Sequence, residues 1–186
     1  MKKQLSGLAG ILSVLILISY GCSDSTVSPE SGESNQLLKQ QAASHQGQGQ
    51  QRNFRTHLKG ANEVPAVETR AQGQAIFKLN KAGDAIDYKL IVSNIENVLM
   101  SHIHNAPAGT NGGVVVWLYP ASPPPQLIEG RFDGVLAEGT ITEDNLVGSL
   151  AGQSLDDLLE LMNNGETYVN VHTTQHPAGE VRGQIQ

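Results

Sequence analysis

The stretch AIDYKLIVSNIENVLMSHIHNAPAGTNGGVVVWLYP, residues 85–120, decides the fold class. In AIDYKLIVSN the residues Ile86, Tyr88, Leu90 and Val92 recur at every second position, the period of a strand with one buried face. VLMSHIH and GVVVWLYP have the same length and a similar composition, and TNGG at 110–113 separates them as a hairpin-like break. GQAIFKLN around Phe77, FDGVLAEGTIT, TYVNVHT and EVRGQIQ add further strand-length segments, with AGD at 82–84 as a second break. This spacing predicts an all-β domain, an antiparallel Greek-key sandwich or barrel.

One segment has the other period. SLDDLLELMNNG places Leu155, Leu158, Leu159 and Met162 at helical spacing, with Ser154 and Asp157 as a capping box and Gly165 as a stop. A short amphipathic helix is expected at about 154–164, packed on its own domain. SPPPQ, at 122–126, belongs in a loop because proline cannot donate to a ladder.

The N-terminus reads as an export signal over residues 1–21. Lys2 and Lys3 precede an apolar run from Leu8 to Ile18, which is shorter than the roughly 20 residues of a spanning helix. Its end, SYGC, resembles a bacterial lipobox: Gly21 precedes Cys22, the lipidation candidate, although Ser19 and Tyr20 depart from the usual leucine and small residue. Cys22 is the single cysteine of the chain, and lipidation gives an exported lone thiol its reason. Residues 22–53, with SDSTVSPESGESNQ and QQAASHQGQGQQ, hold too few large apolar residues to offset chain entropy and read as a disordered tether. Residues 54–186 are left as one compact domain. The expected localisation is a membrane anchored through lipid, in the outer membrane, in the periplasm or on the cell surface. Ser23 fits outer-membrane sorting.

Loss of Lys2 and Lys3 with the signal takes the 12 basic residues to 10 against 18 acidic ones. That balance excludes nucleic acid as a partner. There is no GxSxG, no cysteine in the domain and no phosphate-cradling glycine loop, so nucleophilic catalysis has no support.

The histidines are the chemically suggestive residues. Alternation puts Leu99 and Ile103 on one face of VLMSHIH, and Met100, His102 and His104 on the other. In TYVNVHT, Val169 and Val171 share one face while Tyr168, Asn170 and His172 share the opposite one. Both strands are thus expected to bury an aliphatic row and turn their histidines toward solvent. Two histidines at i and i+2 stand about 6.5–7 Å apart at Cα, close enough for both imidazoles to reach one ion. A third from a neighbouring strand, His172, would complete a three-nitrogen site suited to copper or zinc. No carboxylate lies in the run to orient the rings.

LKGANEVPAVETRAQGQAIFKLN at 58–80, HIHNAPAGTNGGVVVWL at 102–118 and YVNVHTTQHPAGEVRGQI at 168–185 resemble the three signature blocks of the CHRD domain, a family named from chordin and widespread in bacterial exported proteins. Asn105 and Gly113 stand where that pattern has glycine and proline. The resemblance implies an all-β, non-catalytic module that binds a protein or glycan or serves a structural role. The order HIH, glycine-rich loop, VNVHT and GEVRGQI is also distantly similar to the copper-binding blocks of copper/zinc superoxide dismutases. That likeness implies copper ligation by His102, His104 and His172, and a substrate-guiding role for Arg182. No histidine lies between His104 and His172 and the domain has no cysteine, so the bridging ligand, the zinc loop and the disulfide of that family are missing. His176 is a candidate auxiliary ligand. Glu180 and Arg182 are expected as an exposed pair on one strand face, and Glu63 and Pro65 as a loop contact or a ligand edge.

Overall fold

A computed structural model describes residues 51–186; the expected signal peptide at 1–21, Cys22 and nearly all of the expected tether at 22–53 lie outside the described residues. The elements are β1 (Asn53–Lys59), β2 (Gln72–Leu79), β3 (Ile86–Asn105), β4 (Gly113–Tyr119), β5 (Ile128–Ile141), α1 (Leu155–Asn163), β6 (Thr167–Thr173) and β7 (Val181–Gln184), with three single-turn 3-10 helices between them. Among the described residues no helix is long and apolar enough to cross a membrane.

β3 is the spine. Residues 86–93 pair with β2 on one edge and residues 86–98 with β5 on the other; farther along, residues 98–105 pair with β6 and residues 101–105 with β4. The ladder continues from β6 to β7, β1 and β2, and so returns to β3. All pairings are antiparallel, and because β3 takes part at both ends the sheet closes into a barrel. Closure pairs β1, β2, β6 and β7 on both edges, while β4 and β5 are laddered along one edge only, to β3.

AIDYKLIVSN and VLMSHIH, read from sequence as two segments, are halves of this one strand. Asn94 and Asn97 mark the join with left-handed φ values of 56° and 53°, a region that asparagine tolerates better than most residues. Each is tied to the facing strand: the Asn94 N–H donates to Asp133 Oδ1 at 2.7 Å, and Asn97 Oδ1 accepts from the Gly130 N–H at 2.8 Å. A register shift between Val98 and Met100 then leaves Leu99 without a β6 partner. That bulge reverses the alternation, so Val98 and not Leu99 joins Ile103 in the core.

The remaining strands follow their patterns. Phe54 and Leu58 of β1, Ala75, Phe77 and Leu79 of β2, and Ile86, Leu90 and Val92 of β3 are buried in one cluster, with Tyr88 packed against it. β1 is not among the strand segments read from sequence, although buried Phe54, Thr56 and Leu58 alternate with exposed Arg55, His57 and Lys59 at the same period of two. Helix α1 forms as its spacing predicts. The Ser154 N–H donates to Asp157 Oδ2 at 2.9 Å, Asp157 N–H donates back to Ser154 Oγ at 3.4 Å, and Leu155, Leu158, Leu159 and Met162 enter the same core.

Candidate metal centre

β3 and β6 run antiparallel with Met100 opposite His172, His102 opposite Asn170, and His104 opposite Tyr168. Directly opposed residues share a face, so this register gathers the three histidines from two strands. His102 Nδ1 and His172 Nε2 lie 3.2 Å apart. One nitrogen from each of His102, His104 and His172 falls within 4.8 Å of the others.

The expectation that these rings face solvent is wrong. His102, His104 and His172 are 2, 7 and 5% exposed. An antiparallel strand often keeps one wet face, but every residue of β6 is buried. The cover comes from distant parts of the chain. On one side the half-exposed Trp117 of β4 meets His102 edge-on. On the other, Tyr168 stacks on His104 with ring centroids 4.8 Å apart and planes 5° from parallel, and the Arg182 guanidinium lies 3.4 Å from the centre of the Tyr168 ring.

Arg182 is a strap. It is 1% exposed and donates to the carbonyls of Pro107 at 3.2 Å and Thr110 at 2.8 Å and to Asn111 Oδ1 at 3.2 Å, fastening the 106–112 loop beside the histidines. Nor do Glu180 and Arg182 form an exposed pair. Glu180 is 8% exposed and accepts from the hydroxyls of Thr69 and Thr173 at 2.6 and 2.8 Å. His176 remains outside the group of three, and its backbone shapes the turn before β7.

The hydrogen bonds set the tautomers. A carbonyl only accepts, so the contacts of His172 Nδ1 with the Pro177 carbonyl and of His104 Nδ1 with the Gly112 carbonyl, both 2.9 Å, put the proton on Nδ1 in each ring. Each Nε2 then carries a lone pair. His104 Nε2 is buried without a partner, as is His102 Nε2. A ring that donates one N–H to a carbonyl and turns its other nitrogen inward has the usual arrangement of a metal-ligating histidine. Backbone carbonyls thus supply the orienting groups that no carboxylate in the sequence provides.

The spacing suits an ion. At metal–nitrogen bonds of about 2.0–2.1 Å, two nitrogens 3.2 Å apart subtend about 100°. Trigonal or tetrahedral ligands stand about 3.3–3.6 Å apart at such bond lengths, so a 4.8 Å limit asks for at most about 1.5 Å of closure. Burial, reinforced by the neighbouring imidazoles, pushes His102 down to about 3, and burial brings His172 down to about 4. Burial also lowers His104, against the opposing pull of the Gly112 carbonyl and of the Asn170 side chain, which faces the ring without reaching hydrogen-bond geometry to Nε2. All three rings are therefore neutral at pH 7, the protonation state that ligates.

One neighbour carries more weight than its loop setting suggests. Glu63 is 7% exposed, its Oε1 has no partner, and burial pushes its carboxyl up to about 7 against the lowering charge of Arg182. It lies against Gly179, where a Cβ would come within 2.4 Å of Glu63 Oε1 and 2.9 Å of the Asn170 amide nitrogen. Asn170 Oδ1 is likewise without a partner. Glu63 and the Asn170 amide thus converge on Gly179, and the Asn170 side chain also faces His104. The sequence signal for Glu63 is only a carboxylate followed by Val-Pro, which also describes an ordinary loop.

No curated protein and no solved structure matches the chain. Residues 54–185 match the CHRD domain, and the match takes in all seven strands and every residue of the three-histidine cluster. The chain belongs to the CHRD family.

Proposed function

We propose that this chain is an exported, lipid-anchored protein whose CHRD domain is a non-catalytic metal-binding module, with His102, His104 and His172 as ligands to copper or zinc. The observation that carries the reading is the buried lone pair of His104 Nε2, left without a partner beside the 3.2 Å approach of His102 and His172. Burying an imidazole without satisfying it costs free energy. An ion between the rings would satisfy His104 Nε2 and would take the place of the His102 Nδ1–His172 Nε2 hydrogen bond. The signal-like N-terminus, Cys22 and the polar segment after it support placement of the domain outside the cytoplasm on a tether.

Elemental analysis of the untagged soluble chain from Ser23 onward, after titration with each metal and gel filtration, tests the site. One retained ion per chain, lost in His104→Gln, is expected. Absence of retained metal would return the domain to a purely structural or protein- or glycan-binding role. For the anchor, Cys22→Ser should move the protein from the membrane fraction to the soluble one; unchanged fractionation would refute lipidation.

A further inference from the structure

The electrostatics and the rim of the cluster discriminate between the ions. The group of three contains only imidazoles, and among the described residues no carboxylate or thiolate joins it. Arg182 stacks on the Tyr168 ring that packs on His104, and Glu63 is buried within the field of that guanidinium, so neither supplies an anionic ligand to the group of three. A dication here would be desolvated with three neutral ligands and no anionic one. Ionic desolvation scales with the square of the charge, so a monovalent ion bears about a quarter of that cost. Among the biologically common metals that imidazole binds well, copper alone has a stable monovalent state.

Met100 adds an independent indication. It is directly opposite His172 in the β3–β6 register and two residues before His102, on the face that holds all three rings. The Cβ atoms of such opposed residues are about 4.5–5.5 Å apart, within reach of a flexible thioether. Met100 is partly exposed while the histidines are buried, and it is absent from the hydrophobic core. It therefore stands nearer solvent than the three rings do. A thioether is a soft donor that favours copper(I) and contributes little to zinc.

We infer that the centre is selective for copper(I), with the thioether of Met100 as a fourth, soft ligand at its solvent edge. This rests on the reading that the three histidines bind metal.

The test is an anaerobic competition of the soluble chain from Ser23 onward against a chromogenic copper(I) chelator, with a parallel zinc titration, for wild type, Met100→Leu and His104→Gln. Leucine nearly conserves volume, so the fold should survive. Wild type is expected to hold copper(I) about 100-fold or more tighter than zinc, and Met100→Leu to lose about 10-fold or more in copper(I) affinity with zinc binding unchanged. X-ray absorption of the copper(I) form should show a sulfur neighbour that disappears in Met100→Leu. Copper(I) binding by Met100→Leu equal to wild type would overturn the role of Met100, and equal affinity for zinc and copper(I) would overturn the selectivity. In both of those cases His104→Gln would still lose metal and the three-histidine site would stand; no metal bound by wild type would overturn site and selectivity together.

Discussion

The indole of Trp117 stands edge-on to the imidazole of His102, with ring centroids 4.2 Å apart and planes 87° from parallel. Trp117 is the single tryptophan of the chain, so its emission reports on this one neighbourhood. Copper(II) in excess over the soluble chain is expected to quench that emission saturably, whereas zinc, which has no unpaired electron, should leave most of it. His172→Gln removes a ligand without touching the indole contact and should abolish the saturable quench. Quenching that survives in His172→Gln would place the copper elsewhere.

Acid should weaken the metal-free fold through the same rings. In the unfolded chain the imidazoles of His102 and His172 take up protons near 6.5, but in the fold they stay neutral until about 3 and 4. Between those limits the unfolded state binds more protons, so stability falls as pH drops from about 6.5 and is fully present above it. Urea unfolding midpoints from pH 7.5 to 4.5 should show this decline, and His172→Gln should show a shallower one. Equal slopes would mean that His172 is not buried as a neutral ring.

Glu63 has the opposite sign. Its carboxyl is raised from 4.5 to about 7 in the fold, so its favourable contribution is fully present below about 4.5 and is lost as pH rises through 7. Glu63→Gln removes the titration. The variant should gain stability relative to wild type at pH 8 and much less at pH 5, as measured by thermal unfolding at both values. A difference that does not change with pH would contradict the raised carboxyl.

Gly112 holds the anchor of His104. A Cβ on Gly112 would fall 2.0 Å from the Asn105 carbonyl oxygen and 2.6 Å from its carbon, and backbone cannot yield as a flexible side chain does. Gly112→Ala must therefore displace the carbonyl that accepts from His104 Nδ1. Loss of such an orienting partner typically weakens metal binding about 10- to 100-fold. Isothermal titration of Gly112→Ala with copper or zinc should show that loss, with the circular dichroism of the barrel retained.

Much of the fold is legible locally. Period-two segments identify six of the seven strands, and the Ser154/Asp157 box with its leucine spacing identifies α1. The grouping of Met100, His102 and His104 on one face of β3, and of Tyr168, Asn170 and His172 on one face of β6, also survives in the structure. Side-chain direction along a strand is a property of the strand itself, so neighbours in sequence suffice to read it.

What those faces meet is decided elsewhere in the chain. Two left-handed asparagines turn two apparent strands into one, and a bulge at Leu99 reverses which residues reach the core. His102 and His172 come together across 70 positions, and the cover over them is fastened by Arg182, 72 positions from the carbonyl of Thr110 that it holds. From sequence alone these histidines read as a wet row with metal-like spacing. Their burial, their fixed tautomers and their unpaired nitrogens arise only from barrel closure and the loop strapped across it, because desolvation depends on every segment packed around a group and not on the strand that carries it.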